Sequence, residues 1–200
     1  MKKAKVAVLV SGGGTNLQAL IDAEKNGIIK DGTISLVLSN KKDAYALVRA
    51  KNAGIETVVV EKTDRQTFEK TVAEELGKRG IDLIVLAGFT VILSKGFTDL
   101  YPERILNVHP SLIPSFCGEG FYGLKVHRAA LERGVKVTGA TVHFVDEIPD
   151  GGKIIMQKAV AVKEDDTPES LQRRVMEEAE WIILPESCQL ICKKITEDIK

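Results

Sequence analysis

Short apolar runs alternate along this chain with longer stretches in which apolar residues recur every three or four positions. Residues 6–10, 34–38, 56–60, 83–87 and 105–109 form the short runs. Runs of that length, bounded by turn residues, predict buried strands. The segments between them predict helices at 16–25, at 45–52, from the Thr63-Asp64-Arg65-Gln66 start to about 78, and near 94–100. Thr15 or Asn16 is placed to cap the first helix. Strand and helix in turn imply an α/β fold, Rossmann-like, with a mostly parallel sheet flanked by helices. After residue 110 the pattern changes. A helix over 124–133 leads into two strands, 137–145 and 153–162, joined through Asp150-Gly151-Gly152. So short a Gly/Pro connection predicts an antiparallel pair in the C-terminal half. Thr167-Pro168-Glu169 combines a cap, a proline at the first helical position and an acid in the first turn. Helix is expected from there to the end, bent near Pro185.

The 200 residues are 44% hydrophobic and 28% charged, an ordinary globular balance. No linker, repeat or low-complexity tract divides them, so one domain spanning 1–200 is expected. Lys+Arg and Asp+Glu are equal at 28 each, which argues against nucleic-acid binding through bulk charge. The first apolar run, five residues long, is too short for a signal core or a membrane span. A cytoplasmic protein without membrane association is therefore expected. Three cysteines fit a reducing compartment. Cys188 and Cys192, one helical turn apart, read as packing residues.

Candidate chemistry lies where strands end. Ser11-Gly12-Gly13-Gly14-Thr15-Asn16 joins the first strand to the first helix, and a glycine loop at a helix N-terminus attracts an anion. The Lys-Ser/Thr ending of a nucleotide P-loop is missing. The second strand ends in Ser39-Asn40, without the acid that grips a dinucleotide's ribose. A phosphomonoester fits this loop better. Further on, Asn107 and His109 project from one strand face, because the strand period is two. An amide donor, a titratable ring and a carboxylate can polarise a carbonyl and move a proton. Asp150, on its glycine-rich turn, would supply the carboxylate and favour a charged His109 if the two meet. The residues alone leave other readings open: a core histidine, a metal held by His127, His143 and Asp150, or a Cys117 thiol activated by His109. A nucleotide-binding module without catalysis would need none of the Asn107, His109 and Asp150 set.

Taken together, these motifs resemble the folate-dependent formyltransferase family. The likeness rests on residues 11–18, Leu86-Ala87-Gly88-Phe89, Ile92-Leu93-Ser94, 107–114, His127-Arg128-Ala129-Ala130-Leu131 and the stretch from Val142-His143-Phe144-Val145 to Gly152. The glycine loop followed by Asn-Leu-Gln points to the members that formylate glycinamide ribonucleotide. The resemblance implies formyl transfer from 10-formyltetrahydrofolate to the amine of 5-phosphoribosylglycinamide, in purine synthesis, without a metal. It implies Asn107, His109 and Asp150 as catalytic residues. Gly14, Thr15 and Asn16 would take the substrate phosphate, and Glu180 the ribose hydroxyls. The folate would lie against Arg65, Thr90, Val91, Ile92, Leu93, Asn107, Asp146, Glu147, Ile148, Pro149 and Asp150. A phosphate-binding half would occupy about 1–100, and a folate-binding, catalytic half about 101–200. The partners implied are small molecules, on a monomer or homodimer. The chain departs from the family pattern at Thr90-Val91, at Cys117-Gly118 and at Ala179-Glu180-Trp181, where the helix carries an extra residue.

Overall fold

The apolar runs become neighbouring strands of a seven-stranded sheet in the computed structural model, which describes residues 2–198. Strands β1 (Ala4–Val10), β2 (Gly32–Ser39), β3 (Glu56–Val59), β4 (Leu83–Leu86) and β5 (Ile105–His109) run parallel, and β6 (Val137–Phe144) and β7 (Ile154–Ala161) complete the sheet antiparallel. The order is β3-β2-β1-β4-β5-β6-β7. The central strands read as unbroken apolar runs because both faces are covered. Val6, Val8 and Val10 enter one core with α1 (Thr15–Lys25) and α2 (Tyr45–Asn52), whereas Ala7 and Leu9 enter the other with α3 (Arg65–Arg79). Strand order reverses between β1 and β4, and ligands of open α/β sheets bind beyond the carboxyl ends of strands at such a point. Ser11 N–H donates to the Gly88 carbonyl at 3.1 Å, and Thr90 N–H donates to Ser11 Oγ at 2.9 Å. These bonds tie the two loops together across the reversal.

The short helix α4 (Lys95–Thr98) is capped by Ser94. Then α5 (Leu124–Arg133) packs beside α6 (Pro168–Val175), where the expected Thr167 cap is completed into a capping box by Ser170. Two local expectations change. The cap of α1 is Gly14, in a left-handed conformation, and no side chain caps that end. The break in the C-terminal helix falls at Met176–Glu180, a π-helical turn, and α7 (Trp181–Asp198) then runs on through Pro185. A π-turn holds one residue more than an α-turn, which shifts the register of the helix that follows. Pro185 removes the N–H that would close an α-turn on Trp181, and the π-turn ends at that point. Cys188 and Cys192 are fully buried in the core. No helix among the described residues is long and apolar enough to cross a membrane.

Candidate active site

Antiparallel pairing sets Asn107 opposite His143 and His109 opposite Thr141 on β5 and β6. Directly opposed residues share a sheet face, so Asn107, His109 and His143 form one polar cluster. The turn between β6 and β7 brings Asp150 onto it. Asp150 Oδ2 lies 3.3 Å from His109 Nδ1, and Oδ1 lies 3.6 Å from His143 Nε2. Asp150 sits at φ 57°, a left-handed conformation that aspartate tolerates better than most residues. Asp146 Oδ1 accepts from Ile148 N–H at 2.9 Å, and Gly151 N–H donates to the Ile148 carbonyl at 2.9 Å. These bonds hold the turn that aims the carboxylate.

Burial alone would raise the Asp150 carboxyl. The neighbouring His143 and His109 rings and the Gly118 N–H bond outweigh it and bring the carboxyl below its usual value. His109 shows the opposite competition. Its burial lowers the ring below the ordinary histidine range, while the Asp150 charge and the Phe116 carbonyl pull upward. In this closed arrangement desolvation is thus the larger influence on the ring, and the Asp150 charge works against it.

The closure comes from the loop after β5. His109 Nε2 donates to the Phe116 carbonyl at 2.8 Å, and Gly118 N–H donates to Asp150 Oδ2 at 2.9 Å. Phe116 adopts a positive φ of 50° to reach this position. Its carbonyl thus occupies the one His109 nitrogen that Asp150 does not face. Cys117 Sγ donates to the Pro114 carbonyl, and burial, then the Asp150 charge, push its thiol up. That is the reverse of what a nucleophilic thiol needs. His127 is buried with neither ring nitrogen hydrogen-bonded, and burial takes it down to about 4. Among the described residues, no three His, Cys, Asp or Glu side chains group as metal ligands would.

At the other end of the cleft, Gly14, Thr15 and Asn16 open α1 with backbone N–H groups that no side chain caps. Free N–H groups and the helix dipole make that end attractive to an anion. A Cβ on Gly14 would stand 2.6 Å from Ala46 Cβ, so α2 packs against bare backbone there. The π-turn aims Glu180 at this end. Asn16 Nδ2 donates to Glu180 Oε2 at 2.7 Å, and Asn16 Oδ1 is buried without a partner. Burial lifts the Glu180 carboxyl from 4.5 to about 7, with the Asn16 bond opposing. A carboxyl raised on folding contributes stability that is complete below its unfolded value and is lost as pH rises through the folded value. Glu180→Gln, neutral throughout, should remove this slope. Between about pH 5 and pH 7.5, wild-type stability should fall relative to the variant by on the order of 3 kcal/mol. Urea midpoints that move in parallel for the two proteins would refute the assignment.

The residues expected to hold the folate divide by side chain. Val91 and Leu93 are buried in the α3-side core, leaving Thr90 and the half-exposed Ile92 available to a ligand. Across from them, Glu147, Ile148 and Pro149 are exposed and Asp146 is partly so. Lys95 Nζ reaches Glu147 Oε2 at 3.7 Å, so the two segments flank one space. Exposed Ile92 and Ile148 offer apolar surface there, as a flat heteroaromatic ring requires. Arg65 is the first residue of α3 and is exposed. Sequence reasoning weighed His143 only as a metal ligand with His127 and Asp150; pairing opposite Asn107 gives it a place in this cluster instead.

The fold sets a His–Asp–Asn cluster beside the switch point of a mostly parallel α/β sheet. The chain belongs to the formyl transferase family, which matches residues 4–187. It is 43% identical over 173 residues to phosphoribosylglycinamide formyltransferase of Escherichia coli K12, covering 85% of this chain and 79% of that protein. The crystal structure of glycinamide ribonucleotide transformylase 1 from Symbiobacterium toebii superposes with a TM-score of 0.89 at 42% identity, over 96% of this chain and 89% of that one. The chloroplastic phosphoribosylglycinamide formyltransferase of Arabidopsis thaliana is 39% identical over 181 residues, 88% of this chain. The chain spans 62% of the length of that plant protein and 18% of the trifunctional purine biosynthetic protein adenosine-3 of chicken.

Proposed function

We propose that this chain transfers the formyl group of 10-formyltetrahydrofolate to the amine of 5-phosphoribosylglycinamide, a step of purine synthesis. The observation that carries the reading is the Asp150 carboxylate 3.3 Å from His109 Nδ1, beside Asn107 on the same face. The names of the relatives agree with it. The phosphate of the ribonucleotide would bind at Gly14, Thr15 and Asn16, and Glu180 would accept from the ribose hydroxyls. The pterin would lie between residues 90–93 and 146–150, and Arg65 would meet the outer end of the folate. On this reading residues 1–100 serve mainly the phosphate and 101–200 the folate and the chemistry. The protein works on small molecules in the cytoplasm, as a monomer or homodimer.

The residues act in a definite order. The formyl oxygen replaces the Phe116 carbonyl as acceptor for His109 Nε2–H, which requires the 116–118 segment to withdraw. Withdrawal admits water and relieves the burial that depresses the ring, and the Asp150 charge then favours the imidazolium. As the substrate amine attacks the formyl carbon, charge collects on the formyl oxygen. His109 and Asn107 donate to it, each such donor lowering the barrier by ~2.7–4 kcal/mol. The carbon–N10 bond then breaks as the amine gives up a proton. Asp150 holds a water that takes this proton and returns one to N10, so the proton count closes.

The test is an assay with purified protein, both substrates and no added metal. Formylated ribonucleotide and tetrahydrofolate should appear in equal amounts, at a rate set by the ribonucleotide. Formate released independently of the ribonucleotide would instead mark a hydrolase.

A further inference from the structure

His143 is more buried than His109 and has no part in the scheme above, yet its ring touches two members of the cluster. Its hydrogen bonds fix its tautomer. Nδ1 lies 2.7 Å from the Phe144 carbonyl, which can only accept, so Nδ1 carries hydrogen. In the neutral ring Nε2 is then a lone pair. Two groups face it: Asn107 Nδ2 at 3.2 Å and Asp150 Oδ1 at 3.6 Å. The first distance is a hydrogen bond and the second is too long for one. Nε2 therefore accepts from the Asn107 amide nitrogen.

We propose that His143 is the positioning residue of the oxyanion hole: its Nε2 lone pair, set by the Nδ1–H bond to the Phe144 carbonyl, orients the Asn107 amide so that nitrogen rather than oxygen is presented to the reacting carbonyl. A primary amide is nearly symmetrical in shape, so packing alone does not choose between its two orientations. The wrong one would offer a carbonyl oxygen to a developing oxyanion. With one Nδ2 hydrogen given to His143, the other is free for the substrate oxygen. The β6–β7 register slips between Val142 and His143, and irregularities of this kind next to active sites re-aim side chains. His143 thus acts through Asn107 and touches no reacting atom.

The proposal rests on formyl transfer as the reaction, so its test includes a reading that needs no substrate. Nitrogen NMR of the histidine side chains in the wild-type protein at neutral pH should show His143 as the Nδ1–H tautomer with Nε2 accepting a hydrogen bond. An Nε2–H tautomer, or a doubly protonated ring, overturns the proposal whether or not the protein is a transferase. In kinetics, His143→Leu should lower kcat roughly tenfold, part of the roughly 10²–10³-fold that losing an oxyanion donor costs, with KM for both substrates little changed. His143→Gln, whose side-chain oxygen can accept from Asn107, should stay within about threefold of wild type. In an Asn107→Ala background, His143→Leu should cost less than about twofold, because the group it orients is gone. An equal fractional loss in both backgrounds would contradict a role through Asn107. Should the leucine variant not fold, the glutamine variant and the wild-type spectrum decide. A wild-type protein that fails to formylate the ribonucleotide would sink the proposed function and leave the spectrum to judge His143.

Discussion

Asp150→Asn should reduce turnover by roughly 10³–10⁴-fold, the loss typical when the carboxylate behind a catalytic imidazole is neutralised. The substitution keeps size and backbone preference, since asparagine also tolerates φ near 57°. Its side-chain oxygen can still accept from Gly118 N–H. What disappears is the charge 3.3 Å from His109 Nδ1. Burial, already the largest influence on that ring, would then act with less opposition, and the ring would stay neutral when charge develops on the formyl oxygen. The water that moves the proton would lose its anionic partner as well. Stability should change far less. The Asp150 carboxyl is held below its ordinary value on folding, so its charge stabilises the protein at neutral pH and that contribution fades as pH falls through the folded value. The asparagine variant should lose about 1.5–3 kcal/mol at pH 7, the scale of a charged hydrogen bond. Steady-state rates and urea melts on one preparation separate the two effects. Turnover within tenfold of wild type would show that the carboxylate is not catalytic.

Gly152→Ala should be nearly as damaging by a different route. A Cβ there would lie 1.8 Å from the Phe144 carbonyl oxygen and 2.7 Å from its carbon. Both neighbours are backbone in a strand, so no side chain can swing aside. The turn that carries Asp150 two residues earlier must move, and with it the carboxylate. Misplacing a catalytic group by about 1 Å can cost 10²-fold in rate, and overpacking of this kind costs about 1–3 kcal/mol in stability. We expect kcat to fall at least about a hundredfold, on the same grounds. Gly96→Ala is the matched control, because its nearest neighbour, Ser94 Oγ, is 3.8 Å away. It should leave both rate and melting temperature near wild type. Equal kinetics for the two alanine variants would mean that the turn adapts without moving Asp150.

Much of the fold could be read from the chain because its strands are local apolar runs. Residues 45–52, 105–109 and 124–133 carry the same boundaries in sequence pattern and structure. The others shift by a residue or two, where strand ends fade into loops. The break in the last helix was assigned to Pro185, the residue with an obvious local reason. It falls instead at 176–180, where placing Glu180 against Asn16 across 164 positions decides the register. Alternation set Asn107 and His109 on one face. That His143 stands opposite Asn107 depends on how β5 and β6 pair, which neither strand states alone. The same is true of Asp150 meeting His109. Least legible was the Phe116 carbonyl on His109 Nε2, a backbone contact to which the side chain of Phe116 gives no clue. Val91 and Leu93 show a further limit: their side chains complete the α3-side core, so a ligand there would meet them through backbone.

On the proposed mechanism a formyl oxygen takes the place that the Phe116 carbonyl holds on His109 Nε2, and Asn107 donates to it as well. A crystal structure with glycinamide ribonucleotide and a folate analogue bearing a stable carbonyl at the transferred position tests it directly. The analogue's oxygen should lie within about 3 Å of both His109 Nε2 and Asn107 Nδ2, with the Phe116 carbonyl displaced and the ribonucleotide phosphate at the start of α1. An analogue bound elsewhere, with the His109–Phe116 bond intact at 2.8 Å, would contradict it.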